Sequence, residues 1–274
     1  MLNNIVLSRN KMTSLIDPKK YTETVDLLRS FFLSRNFLEV HTQNRLSILA
    51  ACEDPETVAT YNYNGQVWPL PQTGQMWLEY ELLSKPDTSG FFCVSTSYRQ
   101  EPNPVPGRHE TIFPMFEFEM HGDVHDLKVM EIELCEHLGL PSLDIKTYGK
   151  WADQYKVREL DHGHEAAIGY GMITDFPEFT SPFWNMARNG DGTSRKIDVI
   201  LGGMETIGSA ERSTNIDEMR DTFHTISDGG YAQLLYNKFG KERVEKELDE
   251  FLSFNFFPRS GGGIGITRIM SALS

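Results

Sequence analysis

Gly261-Gly262-Gly263-Ile264-Gly265-Ile266-Thr267-Arg268, near the C-terminus, sets an arginine just behind a run of glycines. Glycine lets a backbone come close to another chain or to a ligand, an approach that any side chain would block. Arginine adds a fixed positive charge in a planar, multi-donor form that suits phosphate and that lysine cannot copy. A second arginine stands far upstream in Tyr98-Arg99-Gln100-Glu101, followed by Arg108-His109 and Phe113. Strand residues two apart share a face, so Arg99 and Glu101 would present a guanidinium and a carboxylate side by side. Pro102-Asn103-Pro104-Val105-Pro106-Gly107 reads as a turn-rich loop, and Phe113 to Glu119 returns as a strand.

The 274 residues suffice for one large domain with a real core. With 39% hydrophobic and 24% charged residues, the composition is that of a soluble globular protein. No stretch approaches the roughly 20 apolar residues of a membrane span. The first residues lack the basic-then-apolar pattern of a secretion signal. Cys52, Cys93 and Cys135 are few and widely spaced, forming neither a zinc spacing nor a disulfide framework, so a reduced, cytoplasmic setting is expected. The formal net charge is −13, and no basic face is evident. Such a face is what a protein gripping many phosphates needs, so the charge argues against tRNA as a partner. Lys238, Lys241, Arg243 and Lys246 alternate with Glu242, Glu245 and Glu247, as on a solvated amphipathic helix.

The periodicity predicts a helix over 18–36, capped by Ser14 or Asp17, and then a strand from Phe37 to Thr42. Further strands are expected at Phe91–Ser95, Met115–Met120 and Lys196–Leu201. Phe116 and Phe118 alternate with Glu117 and Glu119, which predicts a sheet with two chemically different faces. Helices are expected at 124–138, and two or more further helices across 213–225 and 229–252. The expected architecture is α+β, an antiparallel sheet flanked by helices in a single domain over 1–274, with 1–17 as an N-terminal extension.

Taken together, these motifs resemble the class II aminoacyl-tRNA synthetase catalytic core. The glycine run with Arg268 is similar to its motif 3, and the Arg99 hairpin to its motif 2. The helix before Phe37 resembles motif 1, the dimer-forming element, with Gln43 where the family has proline. The resemblance implies ATP bent over the sheet, held by Arg99, Glu101, Arg108, His109, Phe113, Glu205, Gly263, Gly265 and Arg268. Arg99 and Arg268 would be catalytic, Phe113 would stack on adenine, and Ile112 replaces the glutamate that normally precedes it. The segment Asp198 to Arg212 is similar to one in aspartyl and asparaginyl synthetases. Asp198 and Glu205, read as sitting before a glycine-containing turn, are hard oxygen ligands suited to Mg²⁺ shared with phosphates. Arg212 falls on the arginine that binds the substrate side chain, and Ala210 replaces a serine. Gln75, in Leu70 to Glu79, and Glu56 match further amino-acid contacts. Glu165 and Asp175-Phe176-Pro177 also echo the asparaginyl branch, without an implied role.

In that family an N-terminal β-barrel reads the anticodon, and no room for one is expected before residue 20. The chain most resembles the archaeal-type asparagine synthetase A, an aspartate–ammonia ligase. The implied reaction uses ATP and Mg²⁺ to form aspartyl-AMP and passes it to ammonia, in a cytoplasmic homodimer without tRNA or membrane. Three alternatives stay open: a minimal aminoacyl-tRNA synthetase or a transferase to another acceptor, a non-catalytic regulatory paralogue, and an ordinary α+β domain that matches the motifs by chance.

Overall fold

The computed structural model describes residues 15–43, 46–48, 55–100, 110–180 and 183–274. Ten strands and nine α-helices lie among these residues. In chain order the strands are β1 Leu38–Glu39, β2 Thr60–Tyr63, β3 Gln66–Pro69, β4 Gly90–Tyr98, β5 Ile112–His121, β6 Asp144–Thr147, β7 Gly171–Pro177, β8 Thr193–Leu201, β9 Met204–Arg212 and β10 Arg259–Gly265. The helices are α1 Pro18–Ser34, α2 Gln75–Ser84, α3 Val124–His137, α4 Tyr148–Tyr155, α5 His162–Ile168, α6 Ile216–Thr225, α7 Gly230–Phe239, α8 Lys241–Leu252 and α9 Ile266–Ala272. Eight strands form one sheet in the order β1-β4-β5-β10-β9-β8-β7-β6, and β2 and β3 form a separate hairpin. Only the two edge pairs, β1 with β4 and β6 with β7, are parallel.

The glycine-rich run therefore becomes a central strand. β10 lies antiparallel between β5 and β9, with Gly261 opposite Glu119 and Ala210, and Gly263 opposite Glu117 and Gly208. Period-2 alternation gives the sheet its two faces. On the back, Phe92, Phe116, Phe118, Val199, Ile207 and Ile264 pack with α1, α3 and α9 in the main core. Phe32 of α1 meets Phe92, Phe116 and Phe118 at ring-centroid distances of 5.8, 5.1 and 5.1 Å. On the front, α2 lays Leu78 and Leu82 against Phe91 and Cys93 of β4. A second core joins α6, α7 and α8 to Met76, Leu83 and Trp184 at the side of that face.

The structure departs from the sequence reading at several edges. Asp17 is the N-cap of α1, accepting from Lys19 and Lys20, but the helix stops at Ser34 because Asn36 takes a positive φ of 62°. The strand expected from Phe37 to Thr42 contracts to Leu38–Glu39, with one more hydrogen bond from the Val40 N–H to the Phe92 carbonyl. Asp198 and Glu205 do not both precede a glycine turn. They flank it, on the two arms of the β8–β9 hairpin. Its tip, Gly202-Gly203, has φ of 59° and 80°, which glycine adopts without strain. No helix among the described residues is long and apolar enough to cross a membrane.

Candidate active site on the front of the sheet

On the front face Gly208 and Gly263 are directly opposed in the register. Each is partly exposed, while their strand neighbours on both sides are buried. Among the described residues, a Cβ built on Gly263 would meet the flexible end of Met115 at 2.7 Å, with Glu117 Cγ next at 3.8 Å. On Gly265 it would meet, among the described residues, only the Arg268 side chain, at 3.4 Å and beyond. These glycines leave a flat patch of bare backbone. Gly261 and Gly262 serve a different purpose, close packing of the protein on itself. A Cβ at Gly261 would lie 2.0 Å from Glu119 Oε2, and one at Gly262 would lie 2.7 Å from the Gly208 carbonyl.

Charged groups border this patch on two sides. Arg268, in α9, donates from Nη1 to the Glu205 carbonyl, and Glu205 Oε1 lies 2.9 Å from where a Gly208 Cβ would stand. Asp198 Oδ1 lies 3.7 Å from the same point, so both carboxylates converge over Gly208. Lys196 Nζ binds Asp198 Oδ2 at 2.9 Å, while Asp198 Oδ1 is buried with no hydrogen-bond partner among the described residues. Burial, then repulsion from Glu205, pushes the Asp198 carboxyl up to about 7 against the pull of Lys196. Among the described residues no three His, Cys, Asp or Glu side chains gather as a metal cluster. Two converging carboxylates, one with an unpartnered buried oxygen, fit Mg²⁺, which keeps several waters and binds partly through substrate phosphates.

Across the patch, Arg99 follows β4. Its Nε is buried without a partner among the described residues, and its guanidinium carbon lies 5.5 Å from the centroid of the half-buried Phe113 ring. Arg99 is close enough to Glu117 for its charge to pull that carboxyl down, against the larger upward push of burial. Glu117 also accepts from Ser95 Oγ at 2.5 Å, from the Gly74 N–H at 2.9 Å and from Thr73 Oγ1, which fastens the start of α2 to the sheet. Ile112, at the start of β5, is 63% exposed. Glu101, Arg108 and His109 lie outside the described residues.

Beyond Gly261 sits a buried polar cluster. Glu119 accepts from Arg212 Nη2 at 3.2 Å, from Arg212 Nε at 3.3 Å and from Gln75 Nε2. Glu79 accepts from Arg259 Nη2 on Oε2 at 2.8 Å and from Asn185 Nδ2 on Oε1 at 2.9 Å, and the same Oε1 is 3.7 Å from Arg212 Nε. Arg212 is 2% exposed and Arg259 fully buried. Burial drives the Glu119 carboxyl up to about 7, against the attraction of Arg212. The sequence reading named Gln75 and Arg212 but not Glu119, Glu79 or Arg259. Glu119 was readable only as one tooth of an alternating strand, and α2 carried no signal that it would cover that strand.

The remaining acid, Glu56, is exposed in a short 3₁₀ turn over Pro55–Thr57. Gln72 Nε2 bonds Thr57 Oγ1 at 2.7 Å and the Gln100 N–H bonds the Thr57 carbonyl at 2.9 Å, so this turn sits beside both the α2 approach and the Arg99 segment. The helical insert holds the adjoining hairpin. Lys238 Nζ reaches the Val58 carbonyl at 2.9 Å, Arg243 Nη1 reaches the Val67 carbonyl at 2.7 Å, and Glu247 accepts from Ser47 Oγ at 2.7 Å.

Residues 145–274 match the model of the family described as tRNA synthetases class II (D, K and N). The chain is similar in structure to asparaginyl-tRNA synthetase from Pyrococcus horikoshii complexed with asparaginyl-adenylate, with a TM-score of 0.75 at 18% identity over 93% of this chain and 64% of that one. Asparaginyl-tRNA synthetase from Entamoeba histolytica matches with a TM-score of 0.75 at 15% identity, over 93% of this chain and 63% of that one. A putative aspartyl-tRNA synthetase from Leishmania major Friedlin follows with 0.73 at 14% identity, over 93% of this chain and 61% of that one. The chain thus spans a little under two thirds of the length of these structures. No curated protein matches the sequence. The fold is that of a class II synthetase domain, α+β with a mostly antiparallel sheet, as the motifs imply.

Proposed function

We propose that the protein is an AMP-forming ligase that activates aspartate with Mg·ATP and transfers the aspartyl group to ammonia, giving asparagine. The observation that carries the reading is the bare Gly208–Gly263 patch, edged by Arg268, Glu205 and Asp198 on one side and Arg99 on the other. A planar base and a bent triphosphate need such a floor, because a side chain would lift them off the sheet. A carboxylate oxygen of aspartate, the β-carboxylate on this reading, forms a bond to the α-phosphorus as the bond to pyrophosphate breaks. Arg99 and Arg268 stabilise the charge that builds on the phosphoryl oxygens. Mg²⁺ held by Asp198 and Glu205 would neutralise charge on the ATP phosphates and the departing pyrophosphate. The ammonia nitrogen then bonds to the acyl carbon, AMP leaves, and the nitrogen gives up a proton to yield the amide.

Arg212, whose counterpart in the family binds the substrate side chain, would here hold the carboxylate of aspartate that does not react, and Gln75 and Glu56 would help to hold the amino acid. Glu119, titrating near 7, can stand beside a second carboxylate in its protonated form. Ammonia as acceptor is supported by the net charge of −13, which disfavours a polyphosphate partner such as tRNA. A homodimer in the cytoplasm is part of the proposal. Leu27, Leu33 and Leu38, exposed on α1 and β1, supply apolar surface for the pairing.

One observation favours a second reading. Arg212 beside Glu119 offers a donor and an acceptor together, which also suits the carbonyl and NH₂ of a carboxamide, and hence asparagine activation for tRNA. Pyrophosphate exchange with each amino acid, followed by AMP release with and without ammonium, separates the two. Aspartate-dependent AMP release that requires ammonium supports the ligase. Asparagine-dependent exchange with charging of tRNA replaces it by the synthetase. Absence of exchange with any amino acid rejects both.

A further inference from the structure

Glu165 has no part in the reading above, yet it touches the residue on which that reading leans. Its Oε2 accepts the backbone N–H of Glu205 at 3.2 Å, while the carbonyl of the same Glu205 accepts from Arg268 Nη1. The Glu205 backbone is therefore gripped on both sides, by a carboxylate and by a guanidinium. The β8–β9 ladder is irregular at this point. Val199 opposes Ile207 and Ile200 opposes Glu205, so Thr206 is an extra residue on β9. Such a bulge re-aims the side chains beside it and leaves local backbone groups to find partners elsewhere.

The helix that carries Glu165 is held firmly against the hairpin. The Gly203 N–H donates to the Gly169 carbonyl at 2.8 Å, and a Cβ at Gly203 would come within 3.0 Å of Ala166 Cα. At its other end Asp161 accepts from the Gly163 and His164 N–H groups at 2.8 and 3.1 Å, and His164 Nδ1 returns a bond to the Asp161 N–H. α5 is thus a short bracket, capped at its start and fastened to the hairpin tip at its end, with one carboxylate directed at the bulge.

We propose that Glu165 is a positioning residue: by holding the Glu205 N–H it fixes the direction in which the Glu205 carboxylate meets the cation and the polyphosphate. The inference rests on the functional reading above and deepens it. The backbone contact itself needs only an acceptor oxygen, which glutamine also carries.

The test compares wild type, Glu165→Ala and Glu165→Gln by amide hydrogen exchange across 200–212 and by pyrophosphate exchange against Mg·ATP concentration. Glu165→Ala should speed amide exchange at 203–206 and raise the KM for Mg·ATP about tenfold, with a smaller change in kcat. Glu165→Gln should return both towards wild type. Unchanged amide exchange in Glu165→Ala overturns the proposal, as does a Glu165→Gln variant no better than the alanine variant. If wild type shows no pyrophosphate exchange, the functional reading fails, and the amide-exchange arm alone decides whether Glu165 orders the bulge.

Discussion

Two adjacent glycines should respond oppositely to the same methyl group. In Gly262→Ala the new Cβ would lie 2.5 Å from Ser209 Cβ and 2.7 Å from the Gly208 carbonyl, in the interior of the sheet. Backbone cannot swing aside as a side chain can, so overpacking should cost about 1–3 kcal/mol. For a chain of this size that corresponds to a Tm lower by roughly 3–10 °C. In Gly263→Ala the methyl meets the end of Met115, which can rotate away. An alanine in a strand is favoured over glycine by roughly 0.5–1 kcal/mol, so the fold should be unharmed or slightly firmer. The same methyl, however, stands on the patch where the nucleotide is proposed to lie. If the ligand must lift over it, the cost resembles overpacking, about 1–3 kcal/mol, or roughly 5–150-fold weaker Mg·ATP binding. Thermal unfolding and calorimetric titration with Mg·ATP on both variants give the comparison. A Gly263→Ala protein that binds Mg·ATP like wild type would refute the floor, as would one that unfolds as early as Gly262→Ala.

Other expectations follow from the same geometry. Arg268→Ala and Glu205→Ala should each lower pyrophosphate exchange by on the order of 2–4 kcal/mol of transition-state stabilisation; normal turnover in Arg268→Ala would contradict its role. Arg212→Ala leaves Glu119 and Glu79 buried with one guanidinium fewer, which should destabilise the fold by about 3–5 kcal/mol. A change in amino-acid affinity alone, with Tm intact, would show that the pair is dispensable to the fold. Glu131, in α3 on the back of the sheet, is fully buried beside Ser209, and burial pushes its carboxyl up to about 8 against the pull of that hydroxyl. Its folded value lies above the ordinary 4.5, so the native state keeps a proton that the unfolded chain releases. Stability from this group is therefore full below pH 4.5 and declines as pH rises towards 8, by at most about 1.4 kcal/mol per pH unit. Glu131→Gln, which cannot ionise, should gain on wild type between pH 5 and pH 8 in urea unfolding. Parallel profiles would mean that Glu131 titrates normally.

Local pattern carried much of the architecture. Asp17 before an apolar-periodic run announced α1, and the alternation of Phe116 and Phe118 with Glu117 and Glu119 announced a two-faced strand, because helix and strand periods are written in the residues themselves. The glycine run and its arginine, the Arg99 hairpin and the Asp198–Arg212 segment were equally legible as motifs, and the fold they imply is the one observed. Alternation says which residues share a face; it does not say what will cover that face. Glu117 and Glu119 are buried because α2, some forty residues upstream, lies over them. The cluster of Gln75, Glu79, Glu119, Asn185, Arg212 and Arg259 draws on four secondary-structure elements and the segment before β8, and its charges are tolerable in the interior only because they meet there. Glu165 likewise gains meaning only from the bulge at Thr206. Hydrogen bonds act over about 3 Å of space whatever the distance along the chain, so these partners became visible only when the sheet register was set.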